Sequence, residues 1–156
     1  MAKRSRAREI ALQLLYRTDR NPHAEDDFDE RFVRERLHGA ELRQFATELI
    51  AGVRTKREEL DRLVQEVAQN WSLSRITPVD RSILRLAAYE ILYRDDIPPK
   101  VAIDEAIELA KRFGTADSQR FVNGILDRIL DQHPRSEQSH PDAAKTSVEP
   151  PVLIAP

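Results

Sequence analysis

The chain has 156 residues, 40% of them hydrophobic and 33% charged, with a formal net charge of −2. That balance describes one compact globular domain, or two small subdomains sharing a core, and excludes a disordered or generally polybasic chain. The absence of cysteine excludes disulfides and cysteine-based zinc sites, and no apolar run approaches the ~20 residues that a membrane-spanning helix needs.

Apolar residues recur at three- and four-residue spacing almost everywhere, the period of helices packed on a core. The first helix is expected from about Ser5 to Thr18, burying Ala7, Ile10, Ala11, Leu14 and Leu15. Arg6 and Arg17 flank one edge of that stripe, Arg4 and Arg8 the other, and Tyr16 lies well away from it. Lys3, Arg4, Arg6 and Arg8 all precede the first acid, so a basic arm sits on a mildly acidic protein and forms a local anion footprint. Taken alone, such a run can equally be a solvated helix face. Its composition is that of a cleaved presequence, but Glu9 and the unbroken pattern into Tyr16 make it part of the fold.

Asn21-Pro22 ends this helix. The acidic run from Glu25 to Glu30 lacks the glycine and alternation of a calcium loop and suits the start of a second helix, where negative charge meets the positive dipole end. That short helix faces inward through Phe28, Phe32, Val33 and Leu37; Gly39 punctuates, and Leu42, Phe45, Ala46, Leu49 and Val53 mark a third. Leu60, Leu63, Val64 and Val67 line a fourth that ends at Asn70-Trp71, followed by a connector from Ser72 to Ile76.

Thr77-Pro78-Val79-Asp80 is a well-formed helix start: a capping Thr, Pro at the first helical position and an acid three residues after the cap. The fifth helix, Pro78 to about Arg94, is apolar around most of its circumference and is therefore central. Asp95 to Pro99 stops it; Ile103, Ala106, Ile107, Ala110 and Phe113 line the sixth, and Val122, Ile125, Leu126 and Ile129 the seventh, from Asp117 to about Leu130. From His133 to Pro156 the composition turns Pro-rich and polar, as in a disordered tail. The expected fold is all-α: helices one to three over about 1–56, helices four to seven over about 57–132, and a tail over 133–156.

No catalytic constellation is present. There is no Cys nucleophile, no phosphate loop or dinucleotide fingerprint among four glycines, and no metal pair among His23, His38, His133 and His140. Catalysis, a metal and a cofactor are not expected. The most informative stretch is Phe113 to Gly124, F-G-T-A-D-S-Q-R-F-V-N-G. Gly114 is expected just past a helix end in left-handed backbone, with Asp117 or Ser118 capping the next helix. Free backbone N–H groups, Arg120 and Phe121 would then cluster there, a combination that suits single-stranded nucleic acid. Phe121 lies at the margin of the buried stripe, where a ring can stack on a base or simply close the core. Asn123 and Gly124 read as structural, the glycine permitting close helix approach.

Four sets of residues carry a resemblance that spans about Ala2 to Leu130. They are Arg8-Ala11-Leu15-Tyr16; Val79-Asp80-Arg81-Ser82-Ile83-Leu84-Arg85 with Tyr89-Glu90; Val101-Ala102-Ile103-Asp104-Glu105-Ala106; and Phe113-Gly114 through Phe121-Val122-Asn123-Gly124. In this order and spacing the chain resembles the NusB family of bacterial transcription antitermination factors. The resemblance implies two packed helical subdomains, a heterodimer with the ribosomal protein NusE, binding of single-stranded boxA RNA from nascent ribosomal RNA transcripts, and action in the RNA polymerase antitermination complex of the bacterial cytoplasm. Carried onto this chain, it implies RNA contacts at Lys3, Arg4, Arg6, Arg8, Tyr16, Asp117, Ser118, Arg120 and Phe121, and NusE contacts at Asp80 and Arg81. Asp80 is a shorter acid where the family often carries Glu, and it doubles as a helix-capping residue. Some family members form homodimers that mask the RNA face. The alternatives are a helical protein-interaction module that never touches RNA, or an accessory domain related to those of RNA methyltransferases, which would need a large catalytic domain beside it.

Overall fold

A computed structural model describes residues 2–21, 26–69 and 75–134. Seven α-helices and no strands are found among the described residues: α1 (Ala2–Arg20), α2 (Asp26–Arg36), α3 (Ala40–Thr55), α4 (Arg57–Ala68), α5 (Pro78–Tyr93), α6 (Pro99–Phe113) and α7 (Ser118–Gln132). Glu25, the Asn70-Trp71 end expected for the fourth helix, most of the connector after it, and the tail beyond Pro134 lie outside the described residues.

The helix starts follow their local chemistry. The Thr77 side chain accepts a hydrogen bond from the Asp80 backbone N–H at 3.2 Å and Pro78 occupies the first turn of α5. α6 begins on Pro99, directly after an extended Pro98, so the segment that stops α5 also starts its successor. Gly39, ahead of α3, has φ +101°, a conformation that side chains strain to adopt.

α5 is the axis, packing against α1, α3, α4, α6 and α7. Ile83, Leu84, Leu86, Ala88 and Ile91 are at most 1% exposed, each large side chain contributing roughly 1.5–3 kcal/mol by leaving water. One continuous core joins them to Ile10 and Leu14 of α1, Leu49 of α3, Leu60 of α4 and Leu126 of α7. Gly52 of α3 lets the Tyr89 ring of α5 lie on its backbone, since a Cβ there would collide with that ring.

Two ionic clusters, one buried and one half-buried, tie α1 to α5. Near its start, the Arg8 guanidinium donates to both carboxylate oxygens of Glu90 at 2.9 and 3.1 Å, lies 3.6 Å from Glu105, and faces the Phe45 ring at 5.2 Å. Burial pushes the Glu90 carboxyl above the usual range, partly countered by the Arg8 hydrogen bonds and charge. At the far end, Asp19 accepts from Arg57 of α4 at 2.7 Å and from Arg81 and Arg85 of α5 at 2.8 and 3.0 Å. Arg85 also grips Asp61 of α4 through two hydrogen bonds, at 2.6 and 3.1 Å. Burial alone would raise the Asp19 carboxyl, but the hydrogen bonds and charges of Arg81 and Arg85 outweigh it and hold it below the ordinary value.

Arg8→Ala strands a buried carboxylate and is expected to destabilise the fold by about 3–5 kcal/mol in urea denaturation, whereas replacing both members (Arg8→Met with Glu90→Leu) recovers most of the loss. Because Asp19 titrates lower in the folded chain than in the unfolded one, its contribution is fully present above about pH 4 and is lost as pH falls through the folded value. Asp19→Asn is therefore expected to be less stable at neutral pH and to show a flatter loss of stability below pH 4, which thermal melts across a pH series read directly.

Candidate nucleic-acid interface

The arm of α1 divides into exposed and buried cations. Lys3, Arg4 and Arg6 are exposed. The Arg4 guanidinium lies 4.3 Å over the Phe45 ring and 3.6 Å from Asp96; Arg6 meets Glu9 at 3.1 Å. Both guanidinium groups stay close to half exposed, 44% and 48%, although the Glu9 carboxylate is buried, and so remain available to a phosphate. The three line an open groove of roughly 1230 Å³ with Arg36 at the end of α2, His38 from the turn between α2 and α3, and Arg94 from the end of α5. Arg8 departs from the expectation for a phosphate contact. It is 2% exposed and committed to Glu90 of α5, whereas Arg4, one turn nearer the start of α1, reaches the same Phe45 ring from the exposed end of the helix.

Tyr16 stands twelve residues beyond Arg4, about 18 Å along the helix. It is 36% exposed and shares a groove of about 460 Å³ with Phe28 and Phe32 of α2, Val79 of α5 and Phe113, itself 37% exposed. Arg112, the neighbour of Phe113, donates to Glu9 at 2.9 Å and so links the end of α6 to the arm.

The turn into α7 is built differently from the expectation. Gly114 has φ −94° and ψ −168°, extended backbone open to any residue. Glycine is required there for space, because a Cβ would come within 2.6 Å of the Ser118 Cβ and 2.8 Å of the Ala110 carbonyl oxygen. Ser118 is 1% exposed, and its hydroxyl accepts from the Thr115 backbone N–H behind it at 2.9 Å. Buried in this way and held to Thr115, it works inside the protein and not at a surface for RNA. Asp117 is exposed and makes no side-chain cap bond. Arg120 and the half-buried Phe121 line a third recess, of about 300 Å³, with Gln69 at the end of α4 and with Gly124 and Arg128 of α7.

The two residues expected to meet a partner are largely enclosed. Asp80 is 6% exposed; burial raises its carboxyl, countered by hydrogen bonds from Ser118 and Thr77, and its Oδ1 has no hydrogen-bond partner among the described residues. Arg81 donates to Asp19 at 2.8 Å and to the Ile76 carbonyl at 3.3 Å, which makes it a tie between α1 and α5.

Residues 5–131 match the model of the NusB family. The chain belongs to the NusB family. It is 44% identical over 151 residues to the transcription antitermination protein NusB of Desulfosudis oleivorans, covering 94% of this chain and 97% of that one. It is 46% identical over 135 residues to that of Geobacter sulfurreducens, covering 86% and 98%. Among solved structures it resembles NusB of T. maritima, with TM-score 0.77 and 38% identity over 86% of this chain and 95% of that one. It also resembles a chain in the crystal structure of the antitermination factors NusB and NusE in complex with dsRNA, with TM-score 0.76 and 25% identity over 85% and 98%. Membership makes it a transcription antitermination factor.

For this NusB-family chain, reading the sequence missed Arg36, His38 and Arg94 as neighbours of the arm, and Phe113 as an exposed ring. Arg36 follows an inward stripe and carries no local mark; only the packing of α2 beside α1 brings it to Lys3. Gly124 also differs from its reading, since a Cβ there would meet nothing within 4 Å among the described residues. It therefore costs α7 helix propensity without a packing contact there. Gly124→Ala is expected to stabilise the protein by roughly 0.5–1 kcal/mol, read as a raised thermal midpoint.

Proposed function

We propose that the chain acts by binding and not by turnover: paired with the ribosomal protein NusE, it holds single-stranded boxA RNA of nascent transcripts within the RNA polymerase antitermination complex of the cytoplasm. Lys3, Arg4, Arg6 and Arg120 displace counterions from RNA phosphates, while Tyr16 and Phe121 stack on unpaired bases and Asp117 accepts hydrogen bonds from base edges. The observation that carries this reading is the exposed cationic arm on α1, left outward by the burial of Arg8 and joined to family membership. The likeness to a NusB chain solved with NusE and RNA supports both partners. The NusE contact lies at the start of α5, where Asp80 keeps 6% of its surface exposed and the Arg81 side chain 19%. Self-association through the same face is the competing state in the absence of RNA.

Fluorescence anisotropy of a labelled boxA-like RNA, with and without NusE and over a salt series, tests the reading. Tighter, sequence-selective binding with NusE is expected, with a logarithmic salt slope of about −3 for four phosphates at roughly −0.7 each. Changing Lys3, Arg4 and Arg6 together to Glu is expected to abolish RNA binding while helical circular dichroism persists. Equal, weak binding to any RNA, unaffected by NusE or by these changes, would favour a protein-interaction module that never meets RNA.

A further inference from the structure

α1 and α2 lie side by side in opposite directions. The arm residues Lys3 and Arg6 share their groove with Arg36, the last residue of α2, whereas Arg17 near the end of α1 stacks 3.8 Å over Phe28 near the start of α2. The cationic groove and the apolar groove of Tyr16 are therefore arranged end to end along one helix pair. Arg36 joins them: its guanidinium sits 3.7 Å over Phe32, and Phe32 lines the apolar groove and lies 5.7 Å from Phe28. Stacking on a ring holds a guanidinium in place while leaving its N–H edge available to an anion. The acid beside it, Glu35 at 3.7 Å, is itself exposed and competes weakly.

We propose that α2 is the second wall of the RNA path: Arg36 takes a phosphate across the groove from Lys3 and Arg6, and the strand continues along α2 so that a base reaches the exposed ring of Tyr16. This rests on the RNA-binding reading above and extends it to a helix that reading leaves out. From Arg36 to Phe28 there are eight residue steps, about 12 Å of helix. That accommodates three or four stacked nucleotides at about 3.4 Å each. Cations at one end and a ring at the other suit a strand whose phosphates stay beside Arg36, because the start of α2 is acidic, with Glu30 exposed and Asp29 paired to Arg54, and only a base extends towards it.

The test uses the full chain with NusE and boxA-like RNA. Arg36→Met keeps an aliphatic stem over Phe32 and removes the charge; Arg36→Glu reverses it. Affinity is expected to fall roughly fivefold for Met and further for Glu, with the salt slope reduced by about 0.7, an unchanged preference among RNA sequences and an unchanged thermal midpoint for Met. Wild-type affinity and slope in both variants, with RNA binding still lost on changing Lys3, Arg4 and Arg6, would overturn the second wall and leave the arm intact. Loss of NusE association with RNA affinity unchanged would also overturn it, marking α2 as a protein-binding surface. If the arm variant too binds RNA normally, the broader reading has failed, not this extension of it.

Discussion

The structure depends on holding α1 across α5 at both ends by buried charge. The hydrophobic stripe of α1, Ala7 to Leu15, draws the helix onto the core but is tolerant of small slides and rotations, because apolar contact has little direction. The ionic clusters are not tolerant. Moving α1 by one residue would shift Arg8 by about 1.5 Å and turn it by about 100°, stranding its charge and that of Glu90 out of water. The same displacement would pull Asp19 from three arginines at once. Register and rotation of α1 are thus set together.

That setting decides which cations the protein offers outward. With Arg8 turned in against Glu90, Lys3 and Arg6 fall on the opposite side of α1, Arg4 lies over Phe45 at its exposed start, and the groove they line is completed by residues from α2 and α5 that are remote in sequence. Tyr16, about three turns along, shares a groove with Phe113, whose neighbour Arg112 pairs with Glu9 of α1. A structural pair and a binding face are therefore two sides of one helix, and a change on either side is felt through the other.

A similar economy governs the small residues. Gly52 and Gly114 clear space for Tyr89 and Ser118, and Ser118 in turn ties the start of α7 back to Thr115. The turn between α6 and α7, which from its composition resembles a donor-rich ligand loop, is instead partly satisfied from within, with Asp117 and Arg120 remaining as its outward groups.

The sequence by itself determined the seven helices, the capped start of α5, its central position and the inward stripes, because hydrophobic periodicity, caps and breakers act over a few residues and are written locally. Family membership was equally plain from four short motifs in order. What it left undecided was the fate of individual charged side chains. Arg4, Arg6 and Arg8 look alike in the chain, yet Arg8 is buried, since its partner Glu90 lies 82 residues away on another helix. Arg81 was drawn inward by Asp19 in the same manner, and Arg36 was brought beside Lys3 only by the antiparallel packing of α1 and α2. A charge is placed by the opposite charge it meets, and that meeting exists only once the helices have packed.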